Sequence, residues 1–374
     1  MEQWYRSIIS GERVGIGAAT LRFSFAVISW FYALVVVVRN RLYDAGVFRT
    51  VRLGVPVIAV GNITTGGTGK TPTVIMVVKE LVALGRRPAV LTRGYGAAKG
   101  QRPDEAMVIE NECPGVPVIV NPDRVAGGRE AIAKYQADVL VMDDGFQHRR
   151  LARDLNIVLV DATEPMGIPG VVPRGSWREP PGSLARADII MLTRCEQVDQ
   201  DLADLAAGLL MQWVPARNIY QQETAVLGVF DAAGNPVPLM AGGTRRVLAF
   251  AGLGNPNGFL HTVRSLGFVV AASCWFDDHH GYETPGDFAQ MMRVTEAKRG
   301  VTGEIDAWIT TLKDWVKLRT APMPMPVWHV RIEARLPGHQ AEVFRERLAQ
   351  VARGAKTVAP VPDPLILKPA PPSI

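Results

Sequence analysis

Apolar positions along the chain fall into two kinds of run. From Phe23 to Val38 the sequence reads F-S-F-A-V-I-S-W-F-Y-A-L-V-V-V-V, sixteen residues without a charge. Beyond Arg52 short apolar runs alternate with amphipathic stretches, the pattern of β-α-β units around a mostly parallel sheet. Val55–Val60, Pro88–Thr92, Val116–Val120, Asp138–Met142, Ile157–Val160 and Ile189–Leu192 are predicted strands, connected in part by helices at Thr71–Leu84 and Asp123–Tyr135. These strands are rich in Val, Ile and Leu without polar alternation, as expected when both faces of a sheet are covered. The same grammar restarts with strands at Val247–Ala251, Phe268–Ala272, Ala307–Thr311 and Val327–Ile332 and helices at Asn257–Leu266, Gly286–Arg299 and Gln340–Arg353. The expected organisation is an N-terminal membrane-associated segment (1–50), an α/β domain (51–222), a smaller second α/β domain (223–354) and a tail (355–374). Six of the chain's 27 prolines follow Lys356. With no helical period there, the tail is expected to be disordered.

The first run is short for a full span, which wants about 20 apolar residues, unless it extends back through Arg22. A buried core helix is the alternative reading. Charge favours the membrane: residues 1–52 carry seven Arg against Glu2, Glu12 and Asp44, a local balance of 7 − 3 = +4, while the whole chain is only +5. Basicity gathered beside one apolar stretch points to a membrane surface and away from nucleic acid, and the Arg residues just after Val38 favour a cytoplasmic C-terminal side. A hydrophobic content of 48% with 21% charge excludes a disordered chain. Cys113, Cys195 and Cys274 form no C-x-x-C pair, so neither a disulfide framework nor a zinc site is expected.

Candidate chemistry starts at Val55, where V-P-V-I-A-V-G-N-I-T-T-G-G-T-G-K-T-P takes a buried strand into a glycine-rich turn and then a helix. This is the context of a phosphate-binding loop, whose backbone N–H groups and helix N-terminus wrap an anion. The loop residues are Thr64, Thr65, Gly66, Gly67, Thr68, Gly69, Lys70 and Thr71, with Thr64 standing where the general pattern has glycine. Lys70 is expected to reach the β- and γ-phosphates of ATP and Thr71 to hold Mg2+. A second motif, A-D-V-L-V-M-D-D-G-F-Q-H-R-R-L, ends an apolar strand in Asp143 and Asp144. Asp-Asp-Gly is also an ordinary turn. Behind a phosphate-binding loop, however, carboxylates at a strand end are how such folds hold magnesium.

The chain resembles the tetraacyldisaccharide 4′-kinases of lipid A biosynthesis. The resemblance rests on Gly61–Pro72, T-R-G-Y-G (Thr92–Gly96), D-D-G-F-Q-H-R-R-L (Asp143–Leu151), R-G-S-W-R-E-P (Arg174–Pro180), A-G-L-G-N-P (Ala251–Pro256), Asp278-His279 and T-L-K-D-W-V-K (Thr311–Lys317). It implies a P-loop NTPase-like α/β enzyme whose second domain closes a nucleotide cleft, docked on the inner membrane, monotopic or single-span, with its active site on the cytoplasmic face. It also implies a lipid disaccharide substrate, with no nucleic acid and no obligate protein partner. By the same resemblance Asp143, Asp144 and Glu179 match acidic residues around the metal, Asp104 an aspartate near the acceptor hydroxyl, and His279 a histidine that assists it. The chain has Pro103-Asp104-Glu105-Ala106 where the family usually has G-D-E-P, and Thr311-Leu312-Lys313-Asp314 where it has T-E-K-D.

The rival reading is a membrane-associated partition-type P-loop ATPase, a nucleotide switch whose loop reads K-G-G-x-G-K-[ST]. Here Thr65 replaces its first lysine, and a second α/β domain suits a two-substrate enzyme better than a switch.

Overall fold

The computed structural model describes residues 2–94, 102–238, 245–253, 256–277, 280–282 and 285–354. In chain order the elements are α1 (Glu2–Ile9), α2 (Ile16–Asp44), β1 (Val57–Asn62), α3 (Lys70–Ala83), β2 (Pro88–Thr92), α4 (Asp104–Glu112), β3 (Val118–Val120), α5 (Arg124–Tyr135), β4 (Val139–Asp143), β5 (Leu155–Asp161) and β6 (Ile189–Thr193). They continue with α6 (Gln200–Leu210), β7 (Ile219–Gln221), β8 (Glu223–Phe230), β9 (Arg246–Gly252), α7 (Pro256–Ser265), β10 (Val269–Phe276), α8 (Pro285–Thr302), β11 (Ala307–Thr311), α9 (Leu312–Leu318), β12 (Val327–Arg335) and α10 (Gly338–Ala352). They form two compact units: Met1–Arg93 with Val116–Thr224 and Ala334–Ile374, and Gly94–Gly115 with Ala225–Glu333.

The first unit is built on a seven-stranded parallel sheet in the order β3-β2-β4-β1-β5-β6-β7. Its strands are buried on both faces, which is why they read as unbroken apolar runs. One layer packs Ala59, Leu91, Leu140 and Met142 against Val125 and Ala131 of α5; the other packs Val158, Val160, Ile190 and Leu192 against Ala203, Ala206 and Leu210 of α6. From β1 the chain leaves through α3 to one side of the sheet and later returns from β4 to β5 on the other. Such a switch point opens a crevice at the strand's carboxyl end.

In the second unit a five-stranded sheet runs β10-β9-β11-β12-β8, and β9, β10, β11 and β12 pair in parallel. Val247, Ala249, Phe259, Val263, Ile309 and Val330 make its core.

These units divide the chain differently from the contiguous domains expected from the sequence. Residues 94–115 belong to the second unit, because α4 packs on α9 and Glu112 pairs with Arg331 at 2.6 Å. Helix α10 belongs to the first: Phe344 packs against Tyr220, the Gln221 N–H donates to Gln340 Oε1 at 2.8 Å, and Arg345 pairs with Glu80 at 2.7 Å. Neither return of the chain is visible in local periodicity. Helices α4 and α6 and strands β7 and β8 were not anticipated either, and the expected disordered tail lies outside the described residues.

The apolar N-terminal run lies within a 29-residue helix, α2, that extends back through Arg22 to Ile16. Arg22 does not interrupt it, since its guanidinium folds back and donates to the Arg13 carbonyl at 2.7 Å. Only Ser29 and Val36 of this helix are buried, while Phe23, Val27, Trp30, Phe31 and Val35 are exposed. The helix is long and apolar enough to cross a membrane, and it is not the core helix of the alternative reading.

Candidate active site

The phosphate-binding loop leaves the carboxyl end of β1 and is clamped by its carbonyls. Asn62 donates to the Thr64 carbonyl at 2.7 Å, Arg194 to that of Gly67, Thr193 to that of Thr68 at 3.0 Å, and Thr73 to that of Gly69 at 2.9 Å. The loop ends at Gly69 with φ +83°, a conformation that side-chain-bearing residues rarely adopt, so glycine here sets the entry into α3. No side chain caps α3. The positive end of its dipole therefore meets the loop without a competing side chain, which favours an anion there. The buried Thr68 hydroxyl also has no partner among the described residues. These features fit a polyphosphate.

Asp143 ends β4, next to β1 in register with Val60, and is buried. Its Oδ2 lies 3.4 Å from the Thr92 hydroxyl at the end of β2. Asp144 follows with φ +51°, turning the chain toward the loop. Gly145 and Phe146 then pass so close to β1 that a Cβ on Gly61 would lie 2.7 Å from that of Phe146. The Lys70 ammonium reaches Asn62 Oδ1 at 3.3 Å and Asp144 at 3.8 Å. Arg178 donates to both oxygens of Asp144 at 2.8 and 2.7 Å. Burial opposes ionisation of Asp144, but Arg178 and Lys70 together outweigh it and hold the carboxyl below its usual range. Arg124 stands behind the pair, its pKa lowered to about 10 by burial while the Asp143 and Asp144 charges oppose that shift, so it stays cationic at neutral pH.

Arg178 belongs to a strap, residues 174–180, laid along the start of the loop. The Thr65 N–H donates to the Ser176 carbonyl at 2.6 Å and the Arg178 N–H to that of Ile63 at 2.7 Å. Helix α2 holds the strap from outside. The Ser29 hydroxyl donates to the Val171 carbonyl at 2.8 Å and Tyr32 to that of Arg178 at 3.1 Å. Glu179, expected near the metal, is fully buried. Its oxygens accept from Arg39 at 3.0 Å, Asn40 at 2.8 Å and Arg186 at 2.7 Å. It is thus drawn toward α2 rather than toward Asp143 and Asp144. Among the described residues no three acidic, His or Cys side chains gather as a metal cage. Magnesium needs none, since it keeps waters and takes one or two carboxylates beside the phosphates. Asp143, Asp144 and the Thr71 hydroxyl are a donor set of that kind.

A second polar centre lies in the other unit. Asp104 opens α4, and its Oδ2 lies 2.8 Å from the Lys317 ammonium on α9. Asp314, one turn before Lys317, has no exposed side-chain surface and is pushed up by burial, against the pull of Lys317. Thr311 caps the helix, and its hydroxyl donates to Asp314 Oδ2 at 2.8 Å and accepts from the Asp314 N–H at 3.2 Å. Leu312, where the resembled family has glutamate, is buried. His279 and Asp278 lie outside the described residues, as do Tyr95 and Gly96.

The model of the tetraacyldisaccharide-1-P 4′-kinase family matches residues 21–353. The chain belongs to this family. The tetraacyldisaccharide 4′-kinase of Syntrophus aciditrophicus is 40% identical over 341 residues, covering 83% of this chain and 88% of that protein. That of Anaeromyxobacter sp. (strain Fw109-5) is 35% identical over 361 residues, with 92% and 95% covered. Among solved structures, the LpxK of Aquifex aeolicus in complex with ATP superposes with a TM-score of 0.69 at 28% identity, covering 88% of this chain and 99% of that one. This family fold therefore carries an α/β scaffold whose sheet feeds a phosphate-binding loop.

The sequence located the loop, Lys70, Thr71, Asp143 and Asp144, and the structure brings Lys70 and Asp144 together. It places Asp104 in the other unit's polar centre and Glu179 in the helix-docking cluster. Arg178, Arg124 and Thr193 were missed. Of these only Arg178 had a signal, lying inside the R-G-S-W-R-E-P stretch.

Proposed function

We propose that this protein transfers the γ-phosphate of ATP to the 4′-hydroxyl of a tetraacyldisaccharide 1-phosphate, giving the 1,4′-bisphosphate. The observation that carries this reading is the clamped loop with Lys70 beside Asp144, in a chain of the tetraacyldisaccharide-1-P 4′-kinase family. A nucleotide switch of the partition type has no such support.

Each group has a chemical task. The α3 N-terminus and Lys70 hold the phosphates, and Lys70 stays with the γ-phosphoryl group as charge shifts onto the leaving oxygen. Arg178 and Lys70 are held by Asp144 until the phosphates arrive to claim them. Bound magnesium would be held by Thr71, Asp143 and Asp144 and would offset phosphate charge. Asp104 orients the acceptor hydroxyl and takes its proton as the new P–O bond forms, with His279 assisting.

The protein works at the inner membrane with its active site on the cytoplasmic face, and α2 embeds without spanning. From Ser29 to Asp44 one side of the helix is bonded to the catalytic unit, through Ser29, Tyr32, Arg39, Asn40 and Asp44. The undocked part, Ile16–Ile28, is about 20 Å long at ~1.5 Å per residue, short of the ~30 Å hydrocarbon core. A span would drag the strap and its charges into lipid.

Two variants separate the roles. Lys70→Ala is expected to lower turnover at least ~100-fold through loss of phosphate charge stabilisation. Asp104→Ala is expected to lower kcat by ~100-fold while ATP affinity stays within a few-fold. If Asp104→Ala weakens ATP binding in proportion to the rate, or leaves the rate unchanged, Asp104 is not the base.

A further inference from the structure

We infer that Lys317 is a positioning residue of this kinase, fixing the Asp104 carboxylate in place at the head of α4. The inference rests on the proposed role of Asp104.

The Lys317 ammonium is almost fully buried, with 5% of the side chain exposed. It lies 2.8 Å from Asp104 Oδ2, donates to the His280 carbonyl at 2.9 Å and sits 3.5 Å from Asp314 Oδ1. Three acceptors for three N–H bonds leave no donor over for a substrate, so the role is to hold rather than to touch. The three come from separate places: the start of α4, the 280–282 segment and Asp314 in the first turn of α9 itself. The face of the Tyr282 ring, 5.7 Å from the nitrogen, flanks the ammonium.

Asp314 is held by other donors. One oxygen accepts from the Thr311 hydroxyl and from the Gly252 N–H at 3.3 Å, tying α9 to the carboxyl end of β9. Lys317 is therefore presented by a helix whose start is locked, and Asp104 is its shortest contact. Asp104 also occupies the first turn of α4, where the helix dipole favours a carboxylate. Dipole and ammonium together hold the carboxylate at the head of α4 in one rotamer. A carboxylate so held is placed to aim the hydroxyl. That suits phosphoryl transfer through a loose transition state, in which the attacking hydroxyl needs aim more than early deprotonation.

The test is a double-mutant cycle on the full-length enzyme with ATP, magnesium and the monophosphorylated lipid disaccharide. Lys317→Met is expected to lower kcat by ~10- to 100-fold with the KM for ATP within a few-fold. In the Asp104→Asn background the same change is expected to cost less than about twofold, because the two residues act as a unit. Lys317→Arg keeps the charge and displaces it; it is expected to lose less and to show the same dependence on Asp104, and it serves where the Met variant does not fold. Equal fold-losses in both backgrounds, or no loss with Asp104 present, overturn the inference while leaving Asp104 as base. If Asp104→Asn alone leaves kcat unchanged, both readings fall.

Discussion

Arg39 of the apolar N-terminal helix reaches Glu179 at 3.0 Å, and the Glu179 side chain has no exposed surface. The next residue back, Arg178, holds Asp144 beside Lys70. Helix α2 is thus more than an anchor. It supplies two of the three donors that bind a buried carboxylate one peptide from the nucleotide site.

Breaking that contact should be costly in a way that cutting off a tether is not. Arg39→Met leaves Glu179 buried with part of its compensation gone, and removing one partner of a buried pair costs about 3–5 kcal/mol in the strongest cases. A fall of several degrees in melting temperature is expected, together with lower kinase activity. Arg39→Met with Glu179→Gln should recover much of the stability, since the uncompensated charge is then gone. If Arg39→Met melts like the parent, the contact is incidental.

The other side of α2 has the opposite task. Replacing exposed Phe23, Val27, Phe31 and Val35 by Ser removes apolar surface worth roughly 1.5–3 kcal/mol per fully buried side chain. Vesicle flotation is expected to show loss of membrane binding, while the melting temperature in detergent stays within a few degrees. Continued flotation of the four-fold variant would place the membrane contact elsewhere.

How much of this was legible beforehand follows from where the information lies. The loop, Lys70, Thr71 and Asp143–Asp144 could be read because a strand, a glycine turn and a helix start are consecutive in the chain. Arg39–Glu179 and Asp104–Lys317 join residues 140 and more than 200 positions apart. No local period encodes such pairs, so the sequence alone shows neither the partners of Glu179 nor a role for Lys317. The two returns of the chain, at α4 and α10, escaped for the same reason. The length of helix α2 stayed open in the sequence at Arg22, because only the fold shows its side chain reaching the Arg13 carbonyl ahead of the helix.

Acid should loosen both units. His329 is buried, stacked on Trp315 at 5.5 Å, and its pKa is pushed down to about 4, first by burial and then by Arg331. His148 is likewise lowered to about 4 by burial and by Arg124. In each case the unfolded chain binds the proton more readily between pH 6.5 and 4, so stability rises with pH across that window and falls on acidification, by up to ~1.4 kcal/mol per pH unit and group. Asp314, with its raised pKa, acts in the opposite direction. His329→Phe, which keeps the aromatic stack, is expected to flatten the drop in melting temperature between pH 7 and 5. An unchanged slope would mean that His329 does not titrate as its burial dictates.

The kinase assignment itself is tested most directly by following the phosphate. Purified protein is given ATP labelled in its γ-phosphate, magnesium and a tetraacyldisaccharide 1-phosphate, and ADP and labelled lipid are counted together. One labelled bisphosphorylated lipid is expected for each ADP formed, with both lost in Lys70→Ala. ADP accompanied by labelled free phosphate, with the lipid unlabelled, would contradict it.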